Sequence, residues 1–150
     1  MARYWFLLKR WVALLGLTAA AAAVIFTVQT AALQKTLAGK TLRLHVVANS
    51  DTDADQAQKL RVRDAVLGAV GALTDGCSSR AEAERALGAG LGRVQAAAQS
   101  VLDAEGCDLP VRVSLEDQRF GTRTYDTFSL PAGTYRALCV RIGAAQGHNW

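Results

Sequence analysis

The run Trp11–Val28, WVALLGLTAAAAAVIFTV, contains no charged residue, and nothing else in the chain restricts its fold as tightly. At about 1.5 Å per residue, a helix over Trp11–Thr30 is roughly 30 Å long, the thickness of a bilayer's hydrocarbon. The run has no polar face, so a buried helix of a soluble protein does not account for it. Arg3, Lys9 and Arg10 precede it, the arrangement that keeps an N-terminus in the cytoplasm, and Tyr4, Trp5 and Trp11 suit the interfacial belt. The rest of the chain is therefore expected to cross the membrane. Two readings of residues 1–32 stand side by side. A retained anchor fits an apolar run longer than the roughly 7–15 residues of a signal peptide core. A cleaved signal peptide fits Thr30-Ala31-Ala32, a small-residue site, and the alanine run Ala19–Ala23, which dilutes the hydrophobicity.

Composition matters mainly in how it is distributed. The 51 % hydrophobic fraction excludes a disordered chain, and the formal charge of +4 looks basic. Residues 1–50, however, hold Arg3, Lys9, Arg10, Lys35, Lys40 and Arg43 and no acid, so all 13 acids lie beyond them. The remainder is slightly acidic, with its charges interleaved. A nucleic-acid-binding domain is excluded, and no nucleic-acid partner is expected.

After a short polar connector ending at Gly39-Lys40 (linker 33–40), residues 41–150 suffice for one small core. In Thr41–Ala48, Leu42, Leu44 and Val46 alternate with Arg43, His45 and Val47, which predicts a strand. Asn49-Ser50-Asp51 supplies turn and N-cap chemistry. Val62, Val66, Ala69 and Leu73 predict a helix over Asp53–Leu73, with Leu60 and Leu67 widening its stripe; Asp75-Gly76 ends it. Ser79-x-x-Glu82 is a capping box that opens a second helix through Leu87, Leu91, Val94, Ala98 and Val101 to Glu105-Gly106. Gly88, Gly90 and Gly92 are candidates to bend it. Strands follow at Val111–Glu116, within Gly121–Leu130, and at Tyr135–Ile142, with a turn at Pro131-Ala132-Gly133. The expected class is α+β: an N-terminal signal or anchor helix, then a two-layer domain with two amphipathic helices on a mixed sheet.

Chemistry-bearing patterns are sparse. Asp51-x-Asp53-x-Asp55 opens like a calcium loop, but the required Gly and bidentate Glu are replaced by Gln56 and Val62; acids at a helix N-terminus explain the cluster. His45 and His148 are the only histidines, and neither has metal-ligand spacing. No nucleophile elbow or phosphate loop occurs. No catalytic residue, metal or cofactor is expected. The cysteines are Cys77, Cys107 and Cys139. Cys77 and Cys107 flank the second helix, and an unbroken helix from Ser79 to Glu105 holds its ends roughly 40 Å apart, too far for a disulfide. Cys107 with Cys139 remains open. Arg119, Arg123 and Tyr125 form a polar–aromatic group near a turn.

The segment Leu42–Asp51, then Asp55-Gln56 and Lys59–Val66, resembles stage II sporulation protein R. So do Thr122–Tyr125, Leu130–Gly133 with Tyr135, and Gly147–Trp150, all in order across residues 41–150. The resemblance implies export into the space between forespore and mother cell. There the protein signals a membrane-embedded aspartic protease that cleaves the sigma-E precursor. It thus implies a ligand and activator rather than an enzyme; the alternative is a cell-wall-associated enzyme or binding module in the same compartment. The family pattern continues past Asn149-Trp150 into further Trp, Cys and Pro residues, so this reading takes the chain to stop inside a family motif. The expected contact surface comprises Asn49, Ser50, Asp51, Arg123, Tyr125, His148, Asn149 and Trp150, with Trp150 as aromatic anchor and Arg123 as charged anchor. Plainer readings stand beside this for Asn49–Asp51 as a helix cap, Tyr125 as sheet filling and Trp150 as packing.

Overall fold

The structure, a computed structural model, describes residues 2–126 and 128–148. It forms two compact units, divided between Leu37 and Ala38.

Helix α1 runs from Ala2 to Lys40. Its threonine hydroxyls are satisfied along its own backbone. Thr18 Oγ1 donates to Leu15 O at 2.9 Å, Thr27 Oγ1 to Val24 O at 2.8 Å and Thr36 Oγ1 to Ala32 O at 3.0 Å. Such bonds let hydroxyls sit in apolar surroundings without an external partner. Within α1, Leu14–Lys40 is long and apolar enough to cross a membrane, a test that signal sequences also pass. The segment read as a polar connector is helical to Lys40. Leu, Gln, Lys and Ala dominate it, all strong helix formers, and only Thr36 and Gly39 oppose them.

The second unit has the expected α+β architecture. Strand β1 (Arg43–Val47) leads to α2 (Asp53–Thr74) and α3 (Arg80–Ala104). Then come β2 (Val111–Phe120), the short β3 (Arg123–Thr124) and β4 (Ser129–Leu130), and β5 (Gly133–Ile142). The main sheet has the order β1-β5-β2. The last strand is central, parallel to β1 and antiparallel to β2. Register puts Leu44, Val46, Leu138, Val140, Ile142, Val111, Val113 and Leu115 on one face. Val62 and Val66 of α2 and Leu87, Val94, Ala98 and Leu102 of α3 complete the core on that face.

Four details depart from expectation. Leu60 and Leu67 are 47 % and 49 % exposed: at 100° per residue they lie opposite the Val62–Val66 stripe, where Gln58 and Lys59 are buried instead. Helix α3 is continuous, and Gly90 marks closeness rather than a bend: a Cβ there would lie 2.6 Å from both Leu73 methyls of α2. The single strand expected within Gly121–Leu130 is instead the β3–β4 hairpin, a separate two-stranded sheet. Strand β2 runs on to Phe120, four residues past the alternating apolar segment, because its partner β5 is equally long.

The helix ends follow the sequence closely. Thr52, one residue beyond the Asn-Ser-Asp turn, caps α2 by accepting from Asp55 N at 3.3 Å. Ser79 caps α3 by accepting from Glu82 N at 3.2 Å. Glu82 reaches back to Ser78 rather than Ser79, accepting from its amide at 2.8 Å and its hydroxyl at 2.9 Å. Gly76 (φ 75°) and Gly106 (φ 66°) follow the C-caps in the left-handed conformation that glycine accommodates.

Candidate functional site: a polar clasp and an aromatic hairpin

Strand β1 ends at Val47 and β5 at Ile142, side by side because the two are parallel. The chain after each must therefore leave the same end of the sheet, and there the two segments bind each other. After β5 the backbone turns through Gly143 (φ 55°) and Ala145 (φ 53°). Gln146 N then donates to Asn49 O and Gly147 N to Ala48 O, both at 3.0 Å. Asn49 uses both ends of its amide: Oδ1 accepts from Ala144 N at 3.0 Å, and Nδ2 donates to Asp55 Oδ2 at 3.0 Å. Ser50 Oγ donates to the same Asp55 oxygen at 2.5 Å. Asp51 grips the next stretch, accepting from His148 N at 2.5 Å and pairing with His148 Nδ1.

Helix α2 backs this clasp. Gln56 Nε2 donates to Ser50 O at 3.0 Å, and Lys59 Nζ lies 3.4 Å from His148 O. A Cβ on Gly147 would lie 2.6 Å from Ser50 O and 2.8 Å from Ala48 Cβ, and one on Gly143 would overlap Asn49 Oδ1. The electrostatics follow the geometry. The His148 amide, then its ring, hold the Asp51 carboxyl below the ordinary aspartate value of 3.8. The Ser50 hydroxyl and the Asn49 amide do the same for Asp55. Burial lowers Lys59.

Of the expected contact residues, Asn49, Ser50, Asp51 and His148 are thus brought together. Asn149 and Trp150 lie outside the described residues. Arg123 and Tyr125 are elsewhere. Phe120 pairs with Gly133, at the start of β5, whereas the clasp follows Ile142. The hairpin between them sits at the other end of the sheet, roughly 30 Å away along a ten-residue strand. Among the described residues, Arg123 and Tyr125 therefore lie at the opposite end of the sheet from Asn49, Ser50, Asp51 and His148. Tyr125 does not fill the sheet. Its ring stacks on Phe128 with centroids 4.8 Å apart, and the two are 44 % and 55 % exposed. Thr122 Oγ1 accepts from Ala132 N at 3.2 Å, and Tyr135 Oη donates to Pro131 O at 2.7 Å, tying the hairpin down.

The face of the sheet away from the helices carries a polar array that the sequence concealed, since its members are far apart in the chain. Arg141 pairs with Glu116 and donates to Ser114 Oγ at 3.1 Å. That pairing lowers Glu116 and raises Arg141. Beneath it, burial and then Glu116 push the Cys139 thiol up to about 11. Burial, then the charges of Arg141 and Arg43, lower His45. All three cysteines are free thiols. Among the described residues, no group of three His, Cys, Asp or Glu is placed to hold a metal ion.

No solved structure matches this chain. It is similar to stage II sporulation protein R of Bacillus subtilis (strain 168), 33 % identical over 109 residues, which are 73 % of this chain and 49 % of that protein. The chain thus spans about half the length of the curated relative it matches. The family model described as Stage II sporulation protein R matches residues 38–150, so the match takes in the whole α/β unit with its clasp and hairpin, and the chain belongs to the stage II sporulation protein R family.

Proposed function

We propose that this protein is an exported signalling ligand of endospore formation. It activates a membrane-embedded aspartic protease, which then processes the sigma-E precursor. The observation that carries this reading is the joining of a family-matched domain at 38–150 to an apolar helix of membrane-spanning length. Such a chain delivers a small folded domain to the outer face of a membrane. The domain acts there by binding the protease's active arrangement more tightly than its inactive one, since only differential affinity shifts such an equilibrium.

The clasp and the hairpin are the two contact regions we assign. The clasp presents the Asn49–Asp51 turn with His148, and the hairpin presents Arg123 beside the Tyr125–Phe128 pair. Arginine and aromatic side chains dominate the energetics of protein interfaces. The test is precursor processing in sporulating cells that carry the full-length chain with R123A, Y125A or H148A. Each substitution is expected to lower processing at unchanged protein level. Normal processing in all three would sink the assignment of these surfaces, and normal processing without the gene would sink the activator role itself. Hydrolysis of purified wall fragments by the protein alone would instead favour a wall enzyme.

A further inference from the structure

Beside the hairpin lies a cleft of about 320 Å³, at the small end of the range for ligand sites. It is lined by Arg43 and His45 of β1, Arg119 and Phe120 of β2, and Thr122 and Arg123 at the hairpin. Three arginines from three strands meet there, and no acid lines it. Of the neighbouring acids, Glu116 pairs with Arg141 and both Asp117 and Glu84 with Arg136; Asp126 of the hairpin does not line the cleft. Among the described residues, Arg43, Arg119 and Arg123 make no ion pair. Arg43 is the most constrained. Its Cζ lies 3.9 Å from the Phe120 ring centroid and 5.1 Å from that of Tyr135, while its Nη1 is buried with no hydrogen-bond acceptor. A guanidinium held by two ring faces has its planar edge fixed, and an unmet buried donor on it is costly.

We infer that this cleft is an anion site that takes a carboxylate side chain of a protein partner. Fixed guanidinium edges recognise a planar carboxylate through paired hydrogen bonds. No helix N-terminus, the usual backbone cradle for phosphate, lines the cleft. The exposed Tyr125–Phe128 pair begins two residues beyond Arg123, an apolar anchor beside a charged one, as protein interfaces use them. Choosing a protein as the source of the carboxylate rests on the signalling reading above; the anion chemistry of the cleft does not.

The experiment observes the arginine Nε–Hε resonances of the full-length chain in uncharged maltoside micelles during titration with N-acetyl-glutamate N-methylamide. The Arg43, Arg119 and Arg123 signals are expected to shift and saturate, on the order of millimolar probe, while those of Arg93 and Arg112 stay put. The matching glutamine amide is expected to leave all five unmoved. R43K keeps the charge but loses the planar edge, and should weaken binding about tenfold. R123A, at an exposed position, should weaken it too, and serves if R43K fails to fold. Uniform, unsaturated shifts of all five arginines would overturn the site. Saturation by inorganic phosphate at tenfold lower concentration than the glutamate probe would overturn the carboxylate assignment. Neither readout involves the protease, so failure here and failure of precursor processing are separable results.

Discussion

Gly147 has no side chain where there is no room for one. The two nearest atoms are a backbone oxygen of Ser50 and the Ala48 methyl, with Gln56 Nε2 third at 3.0 Å, so relief requires the clasp to move. Gly147→Ala should cost about 1–3 kcal/mol by overpacking, read as a lowered urea midpoint with an unchanged slope. Asp51 makes a second prediction at this scale. Its folded-state acidity is strengthened by His148, so its contribution to stability is complete above the unfolded-state value near 3.8 and is lost as pH falls through the lower folded-state value. D51N should therefore flatten the acid limb of a stability–pH curve, and an unchanged limb would count against the His148 contact. The Asn49-Ser50-Asp51 turn was legible in the sequence as polar and helix-preceding. Its partners at 144–148 were not, because a hydrogen bond across 97 residues leaves no local periodicity.

Elements were legible where a period repeats long enough to define a face. The Leu87–Leu102 stripe of α3 and its Ser79 cap came straight from spacing, and Ser79→Ala should cost about 1 kcal/mol in a thermal or urea melt. Helix α2 shows where spacing misleads. Leu60 and Leu67 are apolar but lie on its outer face, so L60Q and L67Q should leave stability within about 0.5 kcal/mol, whereas burial of either would make the change plainly destabilising. Strand β1 carries a titration of its own. His45 is held below its usual 6.5 by burial and two arginines. A depressed value means the unfolded chain takes up the proton first, so stability falls as pH drops through 6.5 towards the folded-state value. H45Q should remove that loss below pH 6.5, as followed by chemical denaturation of the full chain. The two-residue strands of the hairpin are too short for any alternation to announce them.

Across the whole domain, the placement of β5 decides what is accessible and what is not. The strand is paired on both edges and crosses under the arginine–glutamate array, so Cys139 is buried and its thiol is raised to about 11. Alkylation at pH 8 should therefore proceed at Cys77 and Cys107 well before Cys139, because the thiolate is the reacting form and burial blocks access; equal rates at all three would contradict the fold. The same placement has a temporal side. Strands β1 and β2 never touch each other in the sheet; each pairs only with β5. Synthesis supplies β5 after β1 and β2, so until residues 133–142 have emerged, those two strands have no edge to join and the sheet's long-range contacts cannot begin to form. A chain with this topology keeps its first two strands unsheeted until the strand that joins them has been made.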